Sequence, residues 1–393
     1  MNNTIKKFIY CIKIIFINIL LLYFFLYLIE IGINFNKKRL YKKTRLYYLN
    51  TIQNENLNKN IYLNFGSYKL INKKNNSLLP LSGYKNSIII LCLDEHNKPI
   101  YYLSDNNGFS NKKKNTINDF LLIGDSYVHG MCVNTKDNLN SQFEKFFFKT
   151  SSLGVGGNGP LLEFATFKEY EEDYNYKDLI LFITPSNDFK DLSIERSNRI
   201  LMNYLNVSNF KQNIKKPENE LKKEIILNDF FGNKAHRFFN DFFSVYHFNL
   251  KQLGNLLEKI LKNEYIDNNY DYLKDESLDR LFFKILNEFN KFAKSKDKKF
   301  YVVFNSLNPD FLFPTTKDTK KLKDLLIDDK LKKIKKHLNQ ENILFIDYNE
   351  YILKNYDKNN ISTIFKKIDG HWDHYTERGF FELTEQINYR LIK

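Results

Sequence analysis

The chain is poor in the residues that crosslink and punctuate a fold: among 393 residues there are 3 Cys, 7 Pro, 14 Gly, 3 Met and 1 Trp. No Cys/His spacing suits a zinc site. No internal repeat is present, which argues against a solenoid or array. The formal net charge is +14. Taken alone, that charge invites an acidic partner. Yet the positive residues are scattered among Asp and Glu, and no basic helix or aromatic–basic ladder stands out, which argues against nucleic acid as a partner. Lys, Asn and Ile are abundant while Ala, Gly and Pro are sparse. This is the pattern of an AT-rich coding bias, and it weakens every argument from charge. What is plentiful is apolar and aromatic: 43% of the chain is hydrophobic, with 36 Phe and 26 Tyr. That is enough for a sizeable core in one large or two small domains.

Only one long apolar run occurs. Ile14 to Ile29 is interrupted only by Asn18, and with its flank from Phe8 the run reaches the ~20 residues of a bilayer-spanning helix. Lys13 suits one interface, and Tyr23 and Tyr27 the other. No small-residue cleavage site follows, so residues 8–29 read as an uncleaved signal anchor. Lys6, Lys7 and Lys13 lie before or at the start of the run, and Lys37, Lys38, Arg39, Lys42, Lys43 and Arg45 follow it. By count alone that places the body in the cytoplasm, but Lys is dense throughout and the count is discounted. Cys92 and Cys132, the cysteines outside the anchor, fit either one disulfide in an oxidising compartment or two unrelated buried thiols.

After the anchor, residues 36–117 read as a polar stalk and a short β lead-in, with strands at Ser87–Leu93 and Pro99–Leu103. From 118 onward apolar runs alternate with helical stretches: Phe120–Ile123, Ser151–Val155, Leu179–Thr184, Phe300–Asn305 and Ile343–Asp347. That alternation predicts an α/β fold, a mainly parallel sheet with helices on both faces. Between about 191 and 299 it lapses into a charged, aromatic helical insertion, with periodicity around Phe238–Leu261 and Leu278–Phe292. The insertion fits a lid at the sheet edge or a packed helical layer. His236 and His247 within it read as structural.

Four blocks carry chemistry. The first is Gly124-Asp125-Ser126, directly after the run ending at Ile123. A serine there stands at the carboxyl edge of a sheet, where α/β folds keep their sites, and is a candidate nucleophile. The second is Ser152 to Pro160, Gly-rich and leading into a helix over Leu161–Tyr170 with Pro160 at its first position. Backbone N–H groups of such a loop suit an oxyanion, or simply a tight turn. The third ends a strand at Asn187-Asp188, where the Asn187 amide suits the same oxyanion, or a turn or helix cap. The fourth is Asp369-Gly370-His371-Trp372-Asp373-His374. An Asp two residues before a His bends back to hold the imidazole, and His is the natural base for a serine hydroxyl. Alone, the same residues read as a surface His pair or a weak metal site.

The ordered set resembles the SGNH/GDSL hydrolase family over roughly residues 118–393. The resemblance implies a three-layer α/β/α fold with a five-stranded flavodoxin-like sheet. It implies Ser126 as nucleophile, His371 as base with Asp369 orienting it, and Ser126, Gly154 and Asn187 as oxyanion donors. His374 is a competing base without an Asp three residues before it. Pro185 stands where the third block usually has Gly, and Lys366 and Ile368 leave only the Asp-x-His form of the last block. The segment Leu79 to Phe109 resembles the lead-in of bacterial members of the superfamily.

The activity implied is that of a membrane-anchored serine esterase on acylated envelope glycans or lipids, with no metal or organic cofactor. The alternatives are an O-acyltransferase modifying surface polysaccharide with the same triad, and a non-catalytic envelope binding protein. The apolar run predicts a single-pass membrane protein and the scattered charge argues against nucleic acid as partner, while the resemblance favours an exported body, with the catalytic domain periplasmic or extracytoplasmic.

Overall fold

A computed structural model describes residues 14–29, 32, 60–71, 77–93, 99–112, 117–229, 271–313, 322–368 and 371–392. The chain divides into two units, residues 1–57 with 233–269, and residues 58–232 with 270–393.

In the first unit the described part is a helix over residues 14–29. Several of its apolar side chains, among them Ile15, Phe16, Leu21, Leu22 and Phe25, are more than half exposed. Among the described residues no helix is long and apolar enough to cross a membrane. The expected anchor, residues 8–29, lies partly outside the described residues, as do most of the stalk and the helical pattern at Phe238–Leu261.

The second unit is built on a five-stranded sheet of β4 (Asn118–Ile123), β5 (Thr150–Ser152), β6 (Tyr176–Ile183), β7 (Phe300–Phe304) and β8 (Leu344–Asp347), in the order β5-β4-β6-β7-β8. All neighbours run parallel. This is the flavodoxin-like arrangement, first strand second in space. The central strands carry continuous apolar runs, Phe120–Ile123, Leu179–Ile183 and Phe300–Phe304, because both their faces are covered. Leu121, Ile123, Leu181 and Val302 join one buried cluster with Phe164 and Phe167 of the helix Pro160–Tyr170 and Phe282 and Phe289 of the helix Glu276–Ser295. Phe120, Leu122, Phe182 and Val303 join the other, with Phe143, Ile352, Phe380 and Leu383. The two-residue repeat of the strands thus sorts alternate side chains into two helical layers. Of the described helices in the expected insertion, Glu276–Ser295 packs into one of those layers.

The lead-in is a second sheet of β1 (Ile61–Leu63), β2 (Ile88–Leu93) and β3 (Pro99–Leu103), with β1 and β2 parallel and β2 and β3 antiparallel. A disulfide joins Cys92 on β2 to Cys132, six residues beyond Ser126. An unexpected hairpin, β9 (Phe365–Ile368) and β10 (His371–Tyr375), precedes the last helix, Glu377–Ile392.

Candidate active site

In this strand order the chain changes direction between β4 and β6, and the crevice at such a switch point is where open α/β sheets bind ligands. The loop after β4 carries Ser126 and the loop after β6 carries Asn187. The helix Ser126–His129 starts at once after the β4 turn, capped by the Asp125 carboxylate, which accepts the Tyr127 N–H at 3.0 Å. A Cβ on Gly124 would come within 2.5 Å of the Val128 side chain and 3.1 Å of that of Phe182, so only glycine lets strand pass into helix beneath the serine.

Nε2 of His374 lies 2.7 Å from Oγ of Ser126. The expected base was His371, and the histidine described at the serine is His374. His371 pairs with Ile368 at the start of the hairpin, and the register then shifts between Trp372 and Tyr375, where His374 sits. Tyr375 fixes the far end of β10. It is fully buried, its hydroxyl accepts the Ser306 N–H at 2.7 Å, and its ring lies 4.7 Å from that of Tyr127. The Tyr127 ring also lies 5.0 Å from the His374 ring. The residue next to this anchor is therefore the one delivered to the serine. Asp369 and the side chain of His371 lie outside the described residues.

The N–H groups around the serine are mostly taken. Gly154, expected as an oxyanion donor, gives its N–H to Ser152 Oγ at 3.0 Å. Its lack of a side chain serves packing instead, since a Cβ would stand 2.4 Å from the His129 backbone nitrogen. Gly156 donates to His129 Nδ1 at 3.0 Å, and Asn158 to the Val155 carbonyl at 3.2 Å. The N-terminus of the helix Pro160–Tyr170, expected to attract an oxyanion, holds the chain's own Glu195. That carboxyl accepts from Gly159, Leu161 and Leu162 at 2.6, 2.9 and 3.3 Å. The Asn187 amide donates to Asp125 at 3.3 Å and to Asp191 at 3.2 Å. On these loops no hydrogen-bond partner is described for the N–H groups of Ser126 and Gly157, nor for those of Asp125 and Ser186.

Behind the serine stand five carboxyls, and burial raises each. Asp125 is pushed up by burial and drawn back by the Tyr127 N–H, by His374 and by Asn187. Asp191 is pushed up to about 6 by burial and by Asp125, and Glu195 to about 8 by burial and by Asp191. Glu163 and Asp188 lie well above the usual carboxyl range, mainly through burial. Burial thus disfavours the charged form of each acid behind the serine. Among the described residues no three His, Cys, Asp or Glu side chains are grouped to hold a metal ion.

Glu195, which fills the helix start after the Gly-rich loop, and His129, on the serine's own helix, were not read from the sequence, nor was Gly157 singled out within its loop. Glu195 and His129 act through contacts with distant loops, and local pattern carries no sign of those. Gly157 was one of several glycines in a row. Only its positive φ of 79° and its partnerless N–H single it out.

Fold and site together define a three-layer α/β/α protein with a serine–histidine pair at the carboxyl edge of a flavodoxin-like sheet. No protein-family model matches the chain, and no curated protein does. Among solved structures it is similar to a protein assigned to the G-D-S-L lipolytic family from Desulfitobacterium hafniense DCB-2, at 9% identity and a TM-score of 0.37 over 69% of this chain and 98% of that one. It is similar to the acetyl xylan esterase AlAXEase at 10% identity and a TM-score of 0.37, over 70% of this chain and 100% of that one. It is also similar to the salicylyl-acyltransferase SsfX3 from a tetracycline biosynthetic pathway, at 9% identity and a TM-score of 0.34, over 72% of this chain and 57% of that one. The first of these carries the family name that the sequence blocks resemble. These likenesses are distant, and the chemistry below is derived from the chain's own residues.

Proposed function

We propose that this chain is a serine-dependent ester-acting enzyme, an esterase or an acyltransferase, working on acylated glycans or lipids of a cell envelope. The observation that carries the reading is the 2.7 Å contact of His374 Nε2 with Ser126 Oγ. Ser126 Oγ attacks the ester carbonyl while His374 takes its proton. The N–H groups of Ser126 and Gly157 stabilise the tetrahedral oxyanion. His374 then returns the proton to the departing alcohol, leaving an acyl group on Ser126. A water or an acceptor hydroxyl, deprotonated by His374, releases that acyl group. Whether the outcome is hydrolysis or transfer depends on which acceptor reaches the acyl-enzyme.

An extracytoplasmic catalytic unit is supported by the Cys92–Cys132 disulfide, since such bonds persist in oxidising compartments. Attachment to a membrane through the N-terminal apolar segment is supported by the exposed apolar side chains of helix 14–29.

The test is labelling of the full chain in detergent with a fluorophosphonate probe, wild type beside Ser126→Ala. Labelling confined to the wild type is expected. A folded wild type that takes up no label would sink the reading and favour a non-catalytic binding protein.

A further inference from the structure

We infer that His129 is a positioning residue for the oxyanion site, and that Tyr102 of the lead-in sheet holds the other edge of its ring. The inference rests on the reading above, in which the Gly157 N–H faces the reacting carbonyl.

His129 closes the short helix that Ser126 opens, and it is buried. Its two ring nitrogens point to different parts of the molecule. Nδ1 accepts the Gly156 N–H at 3.0 Å, which requires a bare lone pair there. In a neutral ring the proton then sits on Nε2. Nε2 lies 3.0 Å from the Tyr102 hydroxyl, so this N–H donates to the phenol oxygen of β3. Burial, helped by the neighbouring His374, pushes the His129 pKa down to about 4, so the ring keeps that lone pair through the neutral range.

The contact falls where the loop has a choice to make. Val155 to Asn158 form a turn closed by the Asn158 N–H on the Val155 carbonyl, with Gly157 third at a φ of 79°. A positive φ at that position marks the type II form. Types I and II differ chiefly in which way the central peptide faces, and here that peptide carries the Gly157 N–H. By fixing the Gly156 N–H, His129 holds the residue about which this peptide turns. The nucleophile and its oxyanion donor are thereby carried on one unit. Ser126 and His129 share a single turn of helix, and the ring of His129 reaches across to the Gly loop. The lead-in sheet becomes part of the catalytic apparatus through Tyr102.

The test uses the full chain in detergent with p-nitrophenyl acetate as the probe ester. In His129→Asn the side-chain oxygen replaces Nδ1 and accepts from Gly156, so most of kcat should survive. In His129→Leu the acceptor is gone, and kcat should fall about 10–100-fold with KM nearly unchanged. Equal loss in both variants, or none in His129→Leu, would overturn the inference while leaving Ser126 as nucleophile. A second measurement needs no substitution: the 15N shifts of the His129 side chain in the wild type. A bare Nδ1 and a protonated Nε2 are expected, and the opposite tautomer would overturn the proposal. A wild type without turnover or fluorophosphonate labelling would overturn the underlying reading, and the inference with it.

Discussion

His374 and Ser126 are separated by 248 residues and meet at 2.7 Å through the side-chain atoms that acyl transfer requires. The serine is placed by the end of a central strand. The histidine is placed by a hairpin whose last residue, Tyr375, is pinned to the loop after β7.

The first prediction separates the two histidines of that hairpin. His374→Ala should lower kcat by about 10²–10⁴, the usual contribution of a general base. His371→Ala should lower it less than about tenfold. Hydrolysis of p-nitrophenyl acetate by the purified variants distinguishes them, and the reverse ranking would return the base to His371.

Gly154 should tolerate no side chain. The Cβ of Gly154→Ala would stand 2.4 Å from the His129 nitrogen and 2.5 Å from the Val128 carbonyl carbon, both backbone. Relief requires moving the helix that carries Ser126. A loss of about 1–3 kcal/mol is expected from overpacking, read by urea denaturation, together with reduced fluorophosphonate labelling. Unchanged stability and labelling would show that this packing is not restrictive.

Stability should fall as pH rises from 6.5 to 8. Glu195 moves from 4.5 to about 8 on folding, through burial and Asp191. The folded chain keeps a proton that the unfolded chain releases, so this contribution is full below pH 4.5 and is lost as pH rises through about 8. Asp191, raised to about 6, acts in the same sense at lower pH. His129 acts oppositely. Lowered from 6.5 to about 4, it contributes stability above 6.5 that is lost as pH falls through about 4. Above 6.5 the His129 effect is complete and Glu195 remains, acting in the same sense as Glu163 and Asp188, which burial also raises. Tm of the wild type should therefore decline across this window, and Glu195→Gln should flatten the decline. A decline as steep in Glu195→Gln as in the wild type would mean that Glu195 carries no proton there.

The disulfide closes a loop spanning 40 residues between the lead-in sheet and the segment after the serine helix. Cys92→Ser with Cys132→Ser should cost about 3–4 kcal/mol on the chain-entropy account. Denaturation with and without a reductant checks this: the wild type should lose stability on reduction and the double variant should not respond. A wild type indifferent to reductant would show that the bond adds nothing.

The fold was largely legible beforehand because strand and helix patterns are local. The runs at Phe120–Ile123, Leu179–Thr184 and Phe300–Asn305 mark strands buried on both faces, and Pro160 marks a helix start. The run at Ser151–Val155 was read too long. The strand ends at Ser152, where the backbone turns to bring Gly154 against the serine helix. The hairpin β9–β10 was missed because its residues, charged and aromatic, follow no clean alternation.

By itself the sequence determined a parallel α/β sheet, the serine at the end of its first central strand, and the Gly loop and Asn187 at neighbouring strand ends. Each follows from periodicity and turn chemistry within about ten residues. Tertiary structure alone decided the rest. Two histidines three residues apart are equivalent until a register shift and the Tyr375 anchor present one of them to Ser126. Consecutive glycines are equivalent until their N–H groups are claimed by Ser152 and His129, leaving that of Gly157. The helix start at Pro160 suits any anion until Glu195 folds onto it. These are choices among like groups, and they are settled by which partner arrives through space.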